Sequence, residues 1–371
     1  MPVHTERERK YELPPGTKLP SLARLSGVAA SVGPNAERLE AVYYDTPDLR
    51  LARAGVTLRK RTGGADAGWH LKVPADTDTR EEIRFPLDDG STAPPAELTA
   101  LTLGITRGLP LEPVARIVTN RAGWRLVGSS GTPLAELADD RVEAENLTDH
   151  SGVRNWREVE LEASDTDLLN RADKALRKAG LRPSPHDSKL AHVLRPDTDD
   201  ETGATAGDQL VDYLRAKVDT LLRNDLLARR DTEDAVHEMR VAVRRIRGTL
   251  RVYRKLLDRT RVRQIRDELQ WLGKRLAPAR DLEVLDERCQ RAIHDLPPEL
   301  VIGPVAARLT REFAPARADA RRVVQRTLGT KRYLRLLDEL DRLRLYPPLR
   351  ERANRKARKN SRRTSAAPTA R

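Results

Sequence analysis

Residues 6–10 read Glu6-Arg7-Glu8-Arg9-Lys10, and the fold is decided by how that stretch is laid down. Glu6, Glu8 and Lys10 stand at i, i+2 and i+4, so on a β-strand their side chains share one face. Outward from there the same parity recurs. Arg59 and Arg61 alternate with Val56 and Leu58, and His70 and Lys72 alternate with Trp69, Leu71 and Val73. Arg80, Glu82 and Arg84 alternate with Ile83 and Phe85, and Arg121 and Arg125 oppose Trp124 and Leu126. Glu158, Glu160 and Glu162 alternate with Val159 and Leu161. Each run has one apolar and one charged face, bounded by Gly, Pro and Asp.

A solvated sheet face over a helix layer gives this alternation in any single run. The sign of the charge says more. Glu6/Glu8 and Glu158/Glu160/Glu162 are acid-rich, whereas Arg59/Arg61, Lys72 and Arg121 are basic. Carboxylates suit Mg²⁺ or Mn²⁺, which prefer oxygen ligands. Arginine and lysine suit phosphate oxygens. A face with both is what a metal–triphosphate complex requires.

At about 100–200 residues per domain, the 371-residue chain is expected to hold two. Its net charge of +13 is unevenly spread. Residues 1–195 carry 28 basic and 29 acidic side chains; residues 196–371 carry 41 and 27, with nine bases and one acid in residues 350–371. The lone Cys289 excludes a disulfide framework and a cysteine-based metal site. No stretch approaches the roughly 18 apolar residues of a membrane helix, so no membrane partner is expected. The first residues turn charged without an apolar run, which gives the expectation of no signal peptide and a reducing, cytoplasmic setting.

Strands dominate residues 1–195, with one helix at Leu168–Ala179 stopped by Gly180. Residues 196–208 are acidic and small and are assigned to a linker. After Gln209 the period becomes helical. Val236, Met239, Val243, Ile246, Leu250, Tyr253 and Leu257 form one apolar seam, and Val262, Ile265, Leu269, Leu272 and Leu276 a second. Pro278 is expected to interrupt the second helix, and Pro347-Pro348 to close a helix over Tyr333–Leu345. The helical domain spans 209–349, and the basic tail, 350–371, lacks an apolar seam and is expected to be disordered.

The ordered charge set resembles the CYTH, or triphosphate tunnel metalloenzyme, superfamily. Glu6-Arg7-Glu8-Arg9-Lys10 is similar to its ExExK signature. The likeness runs on through Tyr43-Tyr44-Asp45-Thr46, Gly55–Gly64 with Arg59 and Arg61, Trp69-His70-Leu71-Lys72, Arg80, Glu82, Arg121, Glu136, Asp140, Glu158–Glu162 and Ser188-Lys189. The resemblance implies an α+β chain whose first 195 residues form a closed antiparallel β-barrel tunnel acting as a triphosphatase. It implies Glu6, Glu8, Asp140, Glu158 and Glu160 as holders of Mg²⁺ or Mn²⁺, with Glu82 and Glu162 completing or orienting that shell. It implies Lys10, Arg59, Arg61, Lys72, Arg80, Arg121 and Lys189 as ligands of inorganic triphosphate or a related triphosphate, with Glu6, Glu8, Lys10 and Lys72 at the catalytic centre.

In the second half, His237, Arg240, Arg244, Arg247, Arg251 and Arg254 are spaced 3,4,3,4,3 and trail the apolar seam by one residue, about 100° around the helix. Arg245 adds to that side. A solvated arginine face is the plain reading. The run Val236–Arg247, followed by Leu272-Gly273 and Ala279–Val284, resembles the CHAD domain. That likeness implies an all-α bundle that binds inorganic polyphosphate through His237, Arg240, Arg244, Arg245 and Arg247. No second His/Arg-rich motif follows, so the expectation is a shortened CHAD domain, with pairing to another chain left open. The alternative is a non-catalytic polyphosphate-binding or localisation protein. Nucleic acid is disfavoured, because aromatics are only 4% and stacking platforms are lacking.

Overall fold

The computed structural model describes residues 3–14, 16–76, 79–87, 90–149, 152–194, 205–350 and 353. The chain divides into two compact units, 1–198 and 199–371.

The first unit is a closed antiparallel barrel. Its strands are β1 (Val3–Glu12), β2 (Ala30–Asp45), β3 (Thr57–Thr62), β4 (Gly68–Asp76), β5 (Thr79–Phe85), β6 (Glu112–Val127), β7 (Pro133–Asn146) and β8 (Val153–Ala163). They run in the order β5-β4-β3-β2-β6-β7-β8-β1, and β1 pairs back onto β5, so no open edge remains in this ring. A two-residue β9 (Arg182–Pro183) adds to β1. The register sets Asp140 opposite Arg121 and Glu158, and Lys10 opposite Glu160. Period-2 alternation therefore delivers the charged residues of seven strands, β1 and β3 to β8, to one interior.

The outward face is apolar. Tyr11, Leu126, Leu137, Val159 and Leu161 pack beneath α3 (Thr166–Lys178), which contributes Leu168, Leu169, Ala172 and Leu176. Asp165 caps α3 by accepting from Asp167 N at 2.9 Å, and the chain leaves it through Gly180, at φ +98°. A short α4 (Lys189–Leu194) lays Leu190 and Val193 on Ala41, Tyr43, Ala115, Ile117, Val142 and Ala144. Those barrel residues share the parity of Arg121 and Asp140, so α4 packs on the inner face. The remaining helices of this unit are α1 (Arg50–Arg53) and α2 (Ala96–Thr106).

The second unit is helical: α5 (Ala206–Arg229), α6 (Ala235–Val252), α7 (Arg259–His294), α8 (Val305–Leu328) and α9 (Lys331–Leu345). Its core joins Leu214, Val218 and Leu221 of α5, Met239, Val243 and Ile246 of α6, Leu269 and Leu272 of α7, and Tyr333, Leu337 and Leu340 of α9. Among the described residues no helix is long and apolar enough to cross a membrane.

Four expectations change. The linker assigned to 196–208 ends earlier, because Thr205 opens α5 in a capping box: its hydroxyl accepts from Asp208 N at 3.2 Å and its own N–H donates to Asp208 at 3.0 Å. Residues 196–204 lie outside the described residues. Pro278 does not end a helix; α7 runs through it. The buried seam up to Leu276 and Arg240, which donates to the Ala277 carbonyl at 3.0 Å, hold that turn in place despite the missing N–H. Tyr253 leaves the seam, since α6 ends at Val252 and its ring is exposed. Two residues of the assigned tail are packed: Arg350 N donates to Leu256 O at 2.8 Å, and Ala353 is fully buried. The rest of that tail lies outside the described residues.

Candidate active site

The inner face encloses a cavity of about 470 Å³. Glu6, Glu8, Lys10, Arg59, Arg61, Lys72, Arg80, Arg121, Glu160 and Lys189 all line it. Asp140 and Glu158 lie just behind, buried.

Acids and bases interlock in two groups. In the first, Lys189 Nζ stands 2.8 Å from Asp140 Oδ2, 2.7 Å from Glu158 Oε1 and 2.7 Å from Glu160 Oε1. Arg121 grips Asp140 with Nε at 2.8 Å and Nη2 at 2.6 Å, and reaches Glu160 at 2.5 Å. Lys10 also donates to Glu160. Burial opposes the Glu160 charge, but Lys10, Lys189 and Arg121 hold its carboxyl well below the ordinary range. Burial likewise opposes the Lys189 charge, and Asp140, Glu158 and Glu160 keep it well above the usual lysine value.

In the second group, Lys72 donates to Glu6 and lies 3.7 Å from Glu82. His70 Nδ1 is 2.8 Å from Glu82 Oε1, and its Nε2 is 2.9 Å from the Asp66 carbonyl. Burial pushes the Glu6 carboxyl up, whereas Lys10 and Lys72 outweigh burial at Glu8 and draw it down. Arg80 lies 3.7 Å from Glu8 and donates to the Asp187 carbonyl at 2.8 Å. Glu162 sits at the rim, where burial and then Glu6 push it to about 7. Arg61 pairs with Asp66, and burial and Arg59 lower its guanidinium to about 10. Arg59 Nε and Arg61 Nε are buried without a hydrogen-bond acceptor.

The donor set fits a hard divalent ion. Asp140, Glu158 and Glu160 bring one carboxylate oxygen each within 4.8 Å of one another. Glu158 Oε1 is buried and accepts no hydrogen bond, its charge met by the Lys189 ammonium. Glu6 and Glu8 stand outside that trio, with the Lys72 and Arg80 group.

A family profile described as CYTH domain matches residues 4–187, and one described as CHAD domain matches residues 212–370. The uncharacterized protein Rv2226 of Mycobacterium tuberculosis is 40% identical over 358 residues, covering 92% of this chain and 70% of that protein. The chain belongs to the CYTH–CHAD family. Human thiamine-triphosphatase is 31% identical to it over 133 residues, 33% of this chain and 54% of that enzyme. Among solved structures, PptA from Streptomyces chartreusis is 31% identical, with TM-score 0.35, over 41% of this chain and 53% of its own. The chain thus spans about half the length of these last two.

Within the CYTH barrel, the Tyr43-Tyr44-Asp45-Thr46 stretch divides its labour. Tyr43 faces inward, and its hydroxyl accepts from Arg59 at 3.3 Å. Asp45 points away and is structural, accepting from Thr46 N at 2.7 Å and from Leu51 N and Ala52 N at 2.8 Å to start α1. Trp156 falls outside the charge motifs, and α4 enters them only through its first residue, Lys189. Parity alone could have placed Trp156 on the inner face, two residues before Glu158; nothing in the charge pattern marks the apolar Leu190 and Val193 of α4 as inward-facing.

Within the CHAD domain, α6 leaves Arg244 and Arg245 exposed, and neither makes an ion pair among the described residues. His237, Arg240 and Arg247 are half-buried. Arg240 is spent on the Ala277 carbonyl and on Asp281 at 3.3 Å, and Arg247 on Gln270 at 3.1 Å. The basic stripe is therefore partly a seam between α6 and α7.

Proposed function

We propose that the CYTH barrel is a divalent-metal-dependent triphosphatase that releases orthophosphate from inorganic triphosphate or a related triphosphate. The observation that carries this reading is the trio of buried Asp140 and Glu158 with half-buried Glu160, interlocked with Lys10, Arg121 and Lys189 on one inner face. Charge buried at this density is costly and is weak evidence for stability alone. The CYTH match and the similarity to thiamine-triphosphatase support the same class.

Glu6, Glu8, Asp140, Glu158 and Glu160 would hold Mg²⁺ or Mn²⁺, which when bound supplies positive charge to the phosphoanhydride oxygens. The remaining work falls to the chain. Lys10, Arg59, Arg61, Lys72, Arg80, Arg121 and Lys189 exchange carboxylate partners for phosphate oxygens as substrate enters. The unsatisfied Arg59 Nε and Arg61 Nε gain acceptors in the same event. Phosphoryl transfer depends mainly on such positioning and electrostatic stabilisation. Phosphate release from inorganic triphosphate, thiamine triphosphate, ATP and long-chain polyphosphate, with Mg²⁺, with Mn²⁺ and with chelator, tests the assignment. Release that ignores chelation, or no release from any of the four, contradicts it.

A second activity rests on a separate observation, the solvent-facing Arg244 and Arg245 of α6. We infer that the CHAD domain retains polyphosphate through this pair, with His237, Arg240 and Arg247 lending charge from the seam.

A further inference from the structure

Trp156 lies on β8 two residues before Glu158 and shares its inward parity. Its indole Nε1 donates to Glu158 Oε2 at 2.7 Å. The ring is held in turn by His192 of α4, stacked at 4.1 Å between centroids and 21° between planes, and His186 lies 4.4 Å beyond. Glu158 is thus split. One oxygen is tied to the indole, and the other, Oε1, is aimed at Asp140, Glu160 and Lys189 without a hydrogen bond of its own.

An indole N–H only donates and does not titrate, so it cannot compete for the ion. Partners of this kind fix the orientation of a ligating carboxylate, and losing one costs about 10- to 100-fold in metal affinity. The arrangement also bears on which ion is taken. Ca²⁺ accepts bidentate carboxylates in large, flexible shells, whereas Mg²⁺ is smaller and demands near-octahedral geometry. With Oε2 reserved by the indole, Glu158 offers a single oxygen.

We propose that Trp156 is a positioning residue that fixes Glu158 as a one-oxygen ligand and thereby favours Mg²⁺ and Mn²⁺ over Ca²⁺. The inference rests on the metal-site reading above. Its test is metal binding by calorimetry on the full chain without substrate. Trp156→Phe keeps the ring but removes the donor, and Mn²⁺ binding is expected to weaken about 10- to 100-fold, with the Mn²⁺-to-Ca²⁺ affinity ratio falling. Trp156→Gln places an amide nitrogen the same number of bonds from Cβ and is expected to recover most of both. Wild-type affinity and ratio in Trp156→Phe overturn the proposal. Equal loss in both variants, with an unchanged ratio, also overturns it, because packing alone would then be responsible.

Glu158→Gln separates this inference from the site it rests on. If that variant binds Mn²⁺ like the wild type, the metal-site reading itself fails. If it loses binding while Trp156→Phe does not, only the positioning role falls. Should either Trp156 variant fail to fold, the unmodified chain still decides. Mg²⁺ is expected to shift the Trp156 indole N–H resonance, and an indole that does not respond overturns the proposal.

Discussion

The Lys189 ammonium lies 2.8 Å from Asp140 Oδ2 and within 2.7 Å of Glu158 and Glu160, so one side chain of α4 balances two buried acids and one half-buried acid of β7 and β8. Breaking a buried pair by removing one partner costs about 3–5 kcal/mol, because a charge is left uncompensated. Lys189→Met is therefore expected to lower the stability of the metal-free chain by about that amount. Added Mg²⁺ should then restore more stability to the variant than to the wild type, since the cation takes over the missing charge. Thermal melts with chelator and with Mg²⁺ measure both. Equal Mg²⁺ stabilisation of the two proteins would count against the trio as a cation site.

Glu162 supplies a pH dependence with a definite sign. Its folded pKa of about 7 lies above the ordinary 4.5, pushed up by burial and then by Glu6. The folded state then holds a proton that the unfolded state releases, so stability falls as pH rises from about 4.5 to about 7 and levels off above. Glu162 is 41% exposed, which tempers the size of the effect. Glu162→Gln is expected to flatten this slope in the metal-free chain. A denaturation series between pH 5 and 8 that shows the same slope in both proteins refutes the assignment.

Asp45 should separate structure from chemistry. It accepts three backbone N–H groups and is wholly buried. Asp45→Ala strands those donors at about 1–3 kcal/mol each at most. The expected result is a lower melting temperature with KM for triphosphate little changed. A large rise in KM at unchanged stability would place Asp45 in the substrate site instead.

Arg244 and Arg245 are adjacent exposed arginines on α6, ahead of the exposed Arg251. Replacing both with Ala is expected to abolish salt-sensitive retention on immobilised polyphosphate while leaving phosphate release from triphosphate intact. Arg240→Ala is expected to lower stability as well as retention, because its guanidinium also holds the Ala277 carbonyl. Retention unaffected by the double change would remove α6 as the binding face.

Much of the barrel was legible because strand parity is strict. Once Glu6, Glu8 and Lys10 share a face, Arg59, Lys72, Arg121 and Glu160 follow by the same two-residue count, and the structure brings them to one cavity. Closure was not legible from period alone; it depends on β1 pairing with β5, a contact between residues more than 70 positions apart. The split of Tyr43 from Asp45 was hidden for a related reason, since Asp45 is the last residue of β2 and turns into α1. Lys189 marks the inward end of α4, but the packing of that helix rests on Leu190 and Val193, two ordinary apolar residues in a six-residue helix too short to show a period. In the helical unit, Pro278 misled because packing outweighed a local backbone preference. Thr205 and Asp208 looked like linker composition, yet their three-residue spacing is a capping box.

The most direct measurement is orthophosphate release from inorganic triphosphate by the wild-type chain and by Glu6→Gln/Glu8→Gln, across a Mn²⁺ titration. Release is expected to rise from zero with metal in the wild type and to be abolished in the double variant, with the fold retained by circular dichroism. Release in the presence of chelator, or wild-type turnover in the double variant, would contradict it.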